Sequence, residues 1–126
     1  MNNYNKLFRL QGKIAVVVGG AGLIGKELIK GLSGAGALTI LADIDKENSI
    51  RVVNTLKRSG LNVFYRNLDI TKEKSVSGLI NFINTRYGKV DIWINCASPK
   101  TLHWGNKFKD VSVLDWKKKI EMHQKG

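Results

Sequence analysis

The sequence is poor in residues that staple a chain or interrupt it. Its 126 residues hold one cysteine, Cys96, and one proline, Pro99. A single cysteine excludes an internal disulfide, so stability has to come from a packed core. Two histidines, His103 and His123, and that cysteine lie at spacings that make no usual zinc site, and no metal is expected. No apolar run approaches the ~18 residues of a membrane span. The start, Met1-Asn-Asn-Tyr-Asn-Lys-Leu-Phe8, lacks the apolar segment of a secretory leader. Acidic residues are scarce, ten against 21 Lys and Arg, for a formal net charge of +11. Taken together, these absences predict a cytoplasmic, membrane-free protein of one ordinary domain, residues 1–126, whose 43% apolar content suffices for a core.

The positive charge raises the question of a polyanionic partner. Lys100, Lys107, Lys109, Lys117, Lys118, Lys119 and Lys125 make the C-terminal part dense in lysine. No nucleic-acid-binding motif accompanies them, and charge by itself speaks to solubility and nonspecific binding. A solvated face is the reading adopted, and nucleic acid is not expected as a partner.

What the chain does have is Ile14-Ala-Val-Val-Val-Gly-Gly-Ala-Gly-Leu-Ile-Gly25. A β-branched apolar run meets spaced glycines, and a helix-like pattern with Ile24, Leu28 and Leu32 follows. A strand, a tight turn and a helix N-terminus in that order can hold the pyrophosphate of a dinucleotide. Backbone N–H groups must point at the phosphates, and a side chain at the turn would block their approach. Gly20-x-Gly22-x-x-Gly25 fits the general fingerprint, and Gly19-x-x-Gly22-x-x-Gly25 fits a second, overlapping spacing. Gly22 would let the phosphates approach, and Gly25 would let the helix pack on the strand.

A second strand-like run, Ala37 to Ala42, leads into Asp43, about 20 residues beyond the glycines, where a carboxylate meets the adenosine ribose. Such a carboxylate accepts hydrogen bonds from the ribose hydroxyls and repels a 2′-phosphate, which favours NAD over NADP. Asp45 is a rival for that role, though it also suits the N-cap of the next helix.

Strand and helix patterns alternate throughout. Strands are predicted near Lys13–Val18, Ala37–Ala42, Asn62–Arg66 and Asp91–Asn95. Helices are predicted near Gly22–Ser33, closed by Gly34 and Gly36, and Lys46–Ser59, with Ile50, Val53 and Leu56 on one face and Gly60 at its end. A third follows Thr71 as N-cap, with Val76, Leu79, Ile80 and Ile83, and Gly88 at its end. A fourth follows Ser112, where Ser112-x-x-Asp115 resembles a capping box. Four short-linked alternations predict an α/β fold, a Rossmann-like doubly wound parallel sheet of about four strands.

These residues resemble the N-terminal half of a short-chain dehydrogenase/reductase. The resemblance is carried by Leu10-x-Gly-Lys-Ile-Ala-Val-Val-Val-Gly-Gly20, by Asp43, by Leu68-Asp69-Ile70 and by Ile94-Asn95-Cys96-Ala97-Ser98. The segment Asp115-Trp116 to Gly126 is similar to the family's fourth helix. The resemblance implies an oxidoreductase that moves hydride between NAD(H) and a small hydroxyl or carbonyl compound. Its cofactor contacts would fall on Gly19, Gly20, Gly22, Leu23, Ile24, Gly25, Asp43, Ile44, Asp69, Ile70, Asn95, Cys96 and Ala97, with the Asp69 carboxylate at the adenine amino group. Ala97-Ser98-Pro99 and Lys107-Phe-Lys-Asp-Val111 are similar to oxidoreductases of bacterial surface-sugar and flagellin-glycan pathways, which implies a sugar substrate.

The departures from the pattern also bear on function. Val18 stands where many members have Thr, Cys96 replaces an Asn, and Ser98 replaces a Gly. His123 stands at the Asn of the family's Asn-Ser-Tyr-Lys set, either as a surface residue or as a substitute in a proton relay. Cys96 reads as a small residue packed at a strand end, with nothing to place a base beside it. No Tyr-x-x-x-Lys occurs: Tyr4, Tyr65 and Tyr87 are followed four residues later by Phe8, Asp69 and Asp91. The expectation is therefore a chain truncated relative to the family, which binds cofactor but does not turn over. Two other readings stay open. One is a non-catalytic nucleotide-binding module, a homo-oligomer or a partner for a separate chain carrying the missing half. The other is a fragment of a nucleotide-sugar epimerase or dehydratase, a branch in which the Gly19-x-x-Gly22-x-x-Gly25 spacing is usual.

Overall fold

The computed structural model describes residues 7–97. Strands β1 (Ile14–Val18), β2 (Leu38–Asp43), β3 (Val63–Asn67) and β4 (Ile92–Asn95) alternate with helices α1 (Leu23–Gly34), α2 (Lys46–Arg58) and α3 (Glu73–Tyr87). The four strands form one parallel sheet in the order β3-β2-β1-β4. This is the predicted α/β architecture. The predicted fourth helix, from Ser112, and the segment Asp115–Gly126 lie outside the described residues.

Continuous apolar strands follow from burial on both faces. All five residues of β1, Ile-Ala-Val-Val-Val, are buried. Alternate residues serve opposite faces. Val16, Val18, Ile40 and Ala42 pack with Leu79 and Ile83 of α3. Val17 and Leu41 pack with Ile29 of α1 and with Val53 and Leu56 of α2. Among the described residues, two helices thus cover one face and one covers the other. The chain steps outward from β1 to β2 to β3, then returns to place β4 on the far side of β1. That reversal opens a crevice at the carboxyl ends of the strands, between β1 and β4. β4 pairs only with β1 among the described residues, and its Ile92, Trp93 and Ile94 are half-buried. No helix of the described residues is long and apolar enough to cross a membrane.

Several local expectations need correction. The buried stripe of α1 is Gly25, Ile29 and Ser33, whereas Ile24 is 72% exposed and Leu28 and Leu32 lie at the flanks. The cause is Gly25, whose bare Cα sits against the turn before it and rotates the next residues of its own stripe inward. On α2, Ser49 takes the inward place and Ile50 is exposed. On α3, Ile80 is likewise at the surface. Gly34 lies within α1, and the reversal is made one step later by Ala35 and by Gly36 at φ +106°. Thr71 does not cap α3. Its N–H and hydroxyl both donate to Asp69 Oδ1, at 3.0 and 2.6 Å, so its oxygen is turned away and Lys72 begins the helix without a side-chain cap.

Candidate cofactor-binding site

Every candidate site residue that the structure describes lies at the carboxyl end of the sheet. Gly19 to Gly25 follow β1, Asp43 and Ile44 end β2, Asp69 and Ile70 follow β3, and Asn95, Cys96 and Ala97 end β4. Parallel strands in register bring these ends together: Val18 pairs with Ala42 and with Asn95, and Asp43 pairs with Asn67. His123 lies outside the described residues, as do Ser98, Pro99 and Lys107–Val111.

The glycines divide by what surrounds them. Gly19 has φ +76°, and a Cβ there would lie 2.6 Å from the Ala97 nitrogen. A Cβ on Gly20 would meet Ile29 at 2.7 Å and Leu41 at 2.8 Å. One on Gly25 would sit 2.5 Å from the Gly19 oxygen and 2.7 Å from the Gly20 Cα. These three are required by the protein's own packing. Gly22 is different: the nearest atom to a Cβ there is the Gly19 oxygen at 3.4 Å, an ordinary contact. Among the described residues, nothing therefore fills the space beside Gly22. Gly22 is also the N-cap of α1, with no side-chain cap and no acid in the first turn. Leu23 and Ile24, the first residues of the helix, are 83% and 72% exposed. A cradle open among the described residues, in front of a helix N-terminus with no side-chain cap, suits an anion through the N–H groups of the first turn and the helix dipole.

Asp43 closes the other side. Its Oδ2 accepts the Ala21 N–H at 3.1 Å and its Oδ1 accepts the Asp45 N–H at 2.9 Å. Each carboxylate oxygen has a second lone pair for a further donor. Asp45 acts as the N-cap of α2, its side chain accepting the Asn48 N–H at 3.1 Å. Asp43 thus faces the glycine turn, while Asp45 faces its own helix. Ile44 is 64% exposed beside them.

The Asp69 carboxyl is held below the usual carboxylate range, chiefly by the Thr71 hydroxyl and then the Thr71 N–H; burial works against this, and Lys72, 3.9 Å from Oδ2, adds a smaller pull. It is an anion at neutral pH, acceptor-only, as a contact to an amino group requires. At β4, the Asn95 side chain accepts the Ala97 N–H at 3.1 Å, and the Cys96 N–H donates to the Val18 carbonyl at 2.7 Å. Cys96 packs against the cluster of Val17 and Ile29. Among the described residues, no three His, Cys, Asp or Glu side chains group as a metal site.

Three residues that sequence reasoning missed support this arrangement. The Tyr65 hydroxyl donates to the Asp43 carbonyl at 3.1 Å, the Ser75 hydroxyl accepts the Asp69 N–H at 3.0 Å, and the Asn48 amide donates to the Ala21 carbonyl at 3.1 Å. None of the three carries a sequence signal that marks this role.

A parallel sheet with a glycine turn, an uncapped helix and an acid after the second strand defines the dinucleotide-binding class of α/β proteins. The comparisons with known proteins narrow the class. The family profile for short chain dehydrogenases matches residues 13–126. The chain is 33% identical over 115 residues to the 7alpha-hydroxysteroid dehydrogenase of Escherichia coli K12, covering 91% of this chain and 44% of that one. It is 32% identical over 125 residues to the NAD-dependent glycerol dehydrogenase of Listeria innocua, covering 98% of this chain and 46% of that one. Among solved structures, the hydroxysteroid dehydrogenase from Escherichia coli superposes with a TM-score of 0.75 at 32% identity, over 93% of this chain and 47% of that one. The chain belongs to the short-chain dehydrogenase/reductase family. It spans about half the length of the curated relatives it matches. The family uses NAD or NADP, and the matches do not favour the two readings left open beside it.

Proposed function

We infer that the chain forms the cofactor-binding part of an NAD(H)-dependent oxidoreductase acting on a small hydroxyl or carbonyl compound. The observation that carries this reading is the cradle at Gly22, open among the described residues while Gly19, Gly20 and Gly25 are closed by packing. The N–H groups at the start of α1 would hold the pyrophosphate, Asp43 the adenosine ribose, and Asp69 the adenine amino group. Bound there, the nicotinamide supplies hydride acceptance or donation; the chain supplies binding and orientation.

NAD is preferred to NADP because the Asp43 carboxylate faces the glycine turn, and a 2′-phosphate beside it would be repelled. The relatives' names speak of a hydroxysteroid and of glycerol, both hydroxyl-bearing, and one of them of NAD. A hydroxyl-bearing substrate, a sugar included, fits that range. The test is titration of the chain with NADH and with NADPH, followed by fluorescence. Tighter binding of NADH supports the reading, and equal or tighter binding of NADPH removes the NAD preference. Failure of both to bind removes the cofactor role.

A further inference from the structure

Four hydrogen bonds close a ring between the glycine turn and the start of α2. The Ala21 N–H donates to Asp43 Oδ2, and Asp43 Oδ1 accepts the Asp45 N–H. Asp45 Oδ1 accepts the Asn48 N–H, and the Asn48 side-chain amide donates back to the Ala21 carbonyl at 3.1 Å. Only the NH2 end of that amide can face a carbonyl oxygen, so its orientation is fixed by the contact itself. We propose that Asn48 is a positioning residue for the dinucleotide: it sets the Ala21–Gly22 peptide in the orientation in which the turn receives a pyrophosphate. The proposal rests on the cofactor reading above.

One peptide plane links Asn48 to the turn. The Ala21 carbonyl and the Gly22 N–H belong to the same rigid unit. Gly22 donates its N–H to the Gly19 carbonyl at 3.2 Å, and Asn48 holds the opposite end. The Gly22 side of this unit has no side chain, and among the described residues only Gly19 lies near the position of a Cβ. Without Asn48, the plane would be held at one end only. It could then rotate as a unit, and a carbonyl swung toward a pyrophosphate would repel it. Asp43 cannot take over this task, because a carboxylate only accepts and the Ala21 oxygen needs a donor. Asn48 also ties the two halves of the site to each other. The carboxylate that would meet the ribose and the turn that would meet the phosphates are held to a single fixed residue, Ala21. The tether spans 27 residues of sequence and reaches the turn from the first turn of a helix already capped by Asp45. The anchor is therefore more rigid than the turn that it holds.

The experiment compares the full chain with its Asn48→Ala and Asn48→Asp variants, using NADH as the probe. Thermal unfolding midpoints are measured first, and amide exchange at Ala21 and Gly22 is followed by NMR without cofactor. We expect NADH to bind Asn48→Ala about three- to tenfold more weakly, with the unfolding midpoint lowered by only about a few degrees, the scale of one net hydrogen bond. Asn48→Asp keeps the shape but sets acceptor against acceptor, and it should weaken binding at least as much. Exchange at Gly22 should quicken several-fold in both. Parent-like NADH affinity in both variants would overturn the role of Asn48 while leaving the cofactor reading intact. Failure of the parent chain to bind NADH would overturn the cofactor reading, and unchanged exchange in the variants would overturn the tether independently of any ligand.

Discussion

Gly19 and Ala97 meet backbone to backbone, with the Ala97 nitrogen 2.6 Å from where a Gly19 Cβ would be and the Cys96 carbonyl carbon 2.9 Å away. The turn after β1 thus rests on the loop after β4, on the two sides of the crevice where the strand order reverses. No side chain can give way at that contact, and the φ of +76° adds its own strain for any L-residue. Gly19→Ala is therefore expected to destabilise the fold by about 2–5 kcal/mol, the sum of a left-handed backbone penalty and overpacking. Gly22→Ala has neither problem and should stay within about 0.5 kcal/mol of the parent. It should nonetheless weaken NADH binding, since the added methyl fills the open side of the cradle. Urea unfolding and NADH titration of the two variants separate a glycine kept for packing from one kept for a ligand.

Asp43 has two duties, and Asp43→Asn divides them. The amide can accept the Ala21 N–H through its oxygen, but its NH2 then faces the Asp45 N–H, donor against donor. The negative charge that would receive the ribose hydroxyls is gone. NADH affinity should fall about tenfold or more, the scale of a hydrogen bond to a charged group. NADPH should lose less, because the repulsion of its 2′-phosphate is removed. The ratio of the two dissociation constants, measured on parent and variant, checks this. An unchanged ratio would mean that Asp43 does not set cofactor preference.

The parts of this molecule legible in the sequence are those written locally. The glycine turn, the alternation of strand and helix, the acid after β2 and the Asp45 cap are each written in a few adjacent residues, and the strands, helices and cap fold as that pattern predicts. The buried face of α1 was not legible. Ile24, Leu28 and Leu32 form a more apolar stripe than Gly25, Ile29 and Ser33, and periodicity follows hydrophobicity. Which stripe turns inward was decided instead by how closely Gly25 approaches the Gly19 oxygen, a contact between backbones. Thr71 failed as a cap for a related reason: a neighbouring carboxylate, Asp69, competed for its hydroxyl. Asn48 was illegible in a third way, since its partner is a carbonyl 27 residues away and an amide on the first turn of a polar helix looks like any solvated residue. His123, by contrast, lies outside the described residues.

The inward turn of that stripe leaves a cost at Ser33. Its hydroxyl is buried, with the residue 6% exposed, and has no hydrogen-bond partner among the described residues. A buried polar group without a partner opposes folding, and alanine is the better helix former at the same position. Ser33→Ala should therefore stabilise the chain by about 0.5–2 kcal/mol, against the usual direction for a buried substitution. A higher urea midpoint with an unchanged slope is the expected result. A lower midpoint would mean that the hydroxyl is satisfied, by water for example.

At the opposite end of the sheet, Asp91 makes stability depend on pH. Its Oδ2 accepts the Ile14 N–H at 2.7 Å, and Lys89 Nζ lies 3.3 Å away. The Ile14 N–H is the main reason its carboxyl titrates below the ordinary 3.8; burial acts the other way, and Lys89 adds a smaller pull. A carboxyl with a depressed folded-state pKa binds its proton more readily in the unfolded chain. Its contribution is complete above the unfolded value and disappears as pH falls through the folded one. The Asp91→Ala variant should be less stable than the parent at neutral pH, with Ile14 losing its acceptor at the start of the most buried strand. That difference should hold from neutral pH through the mildly acidic range, then narrow as pH falls below the ordinary carboxylate range and through the depressed folded value. Urea midpoints of both proteins across this range would show converging curves. Parallel curves would mean that the carboxylate charge contributes nothing and that only the lost contact with Ile14 matters.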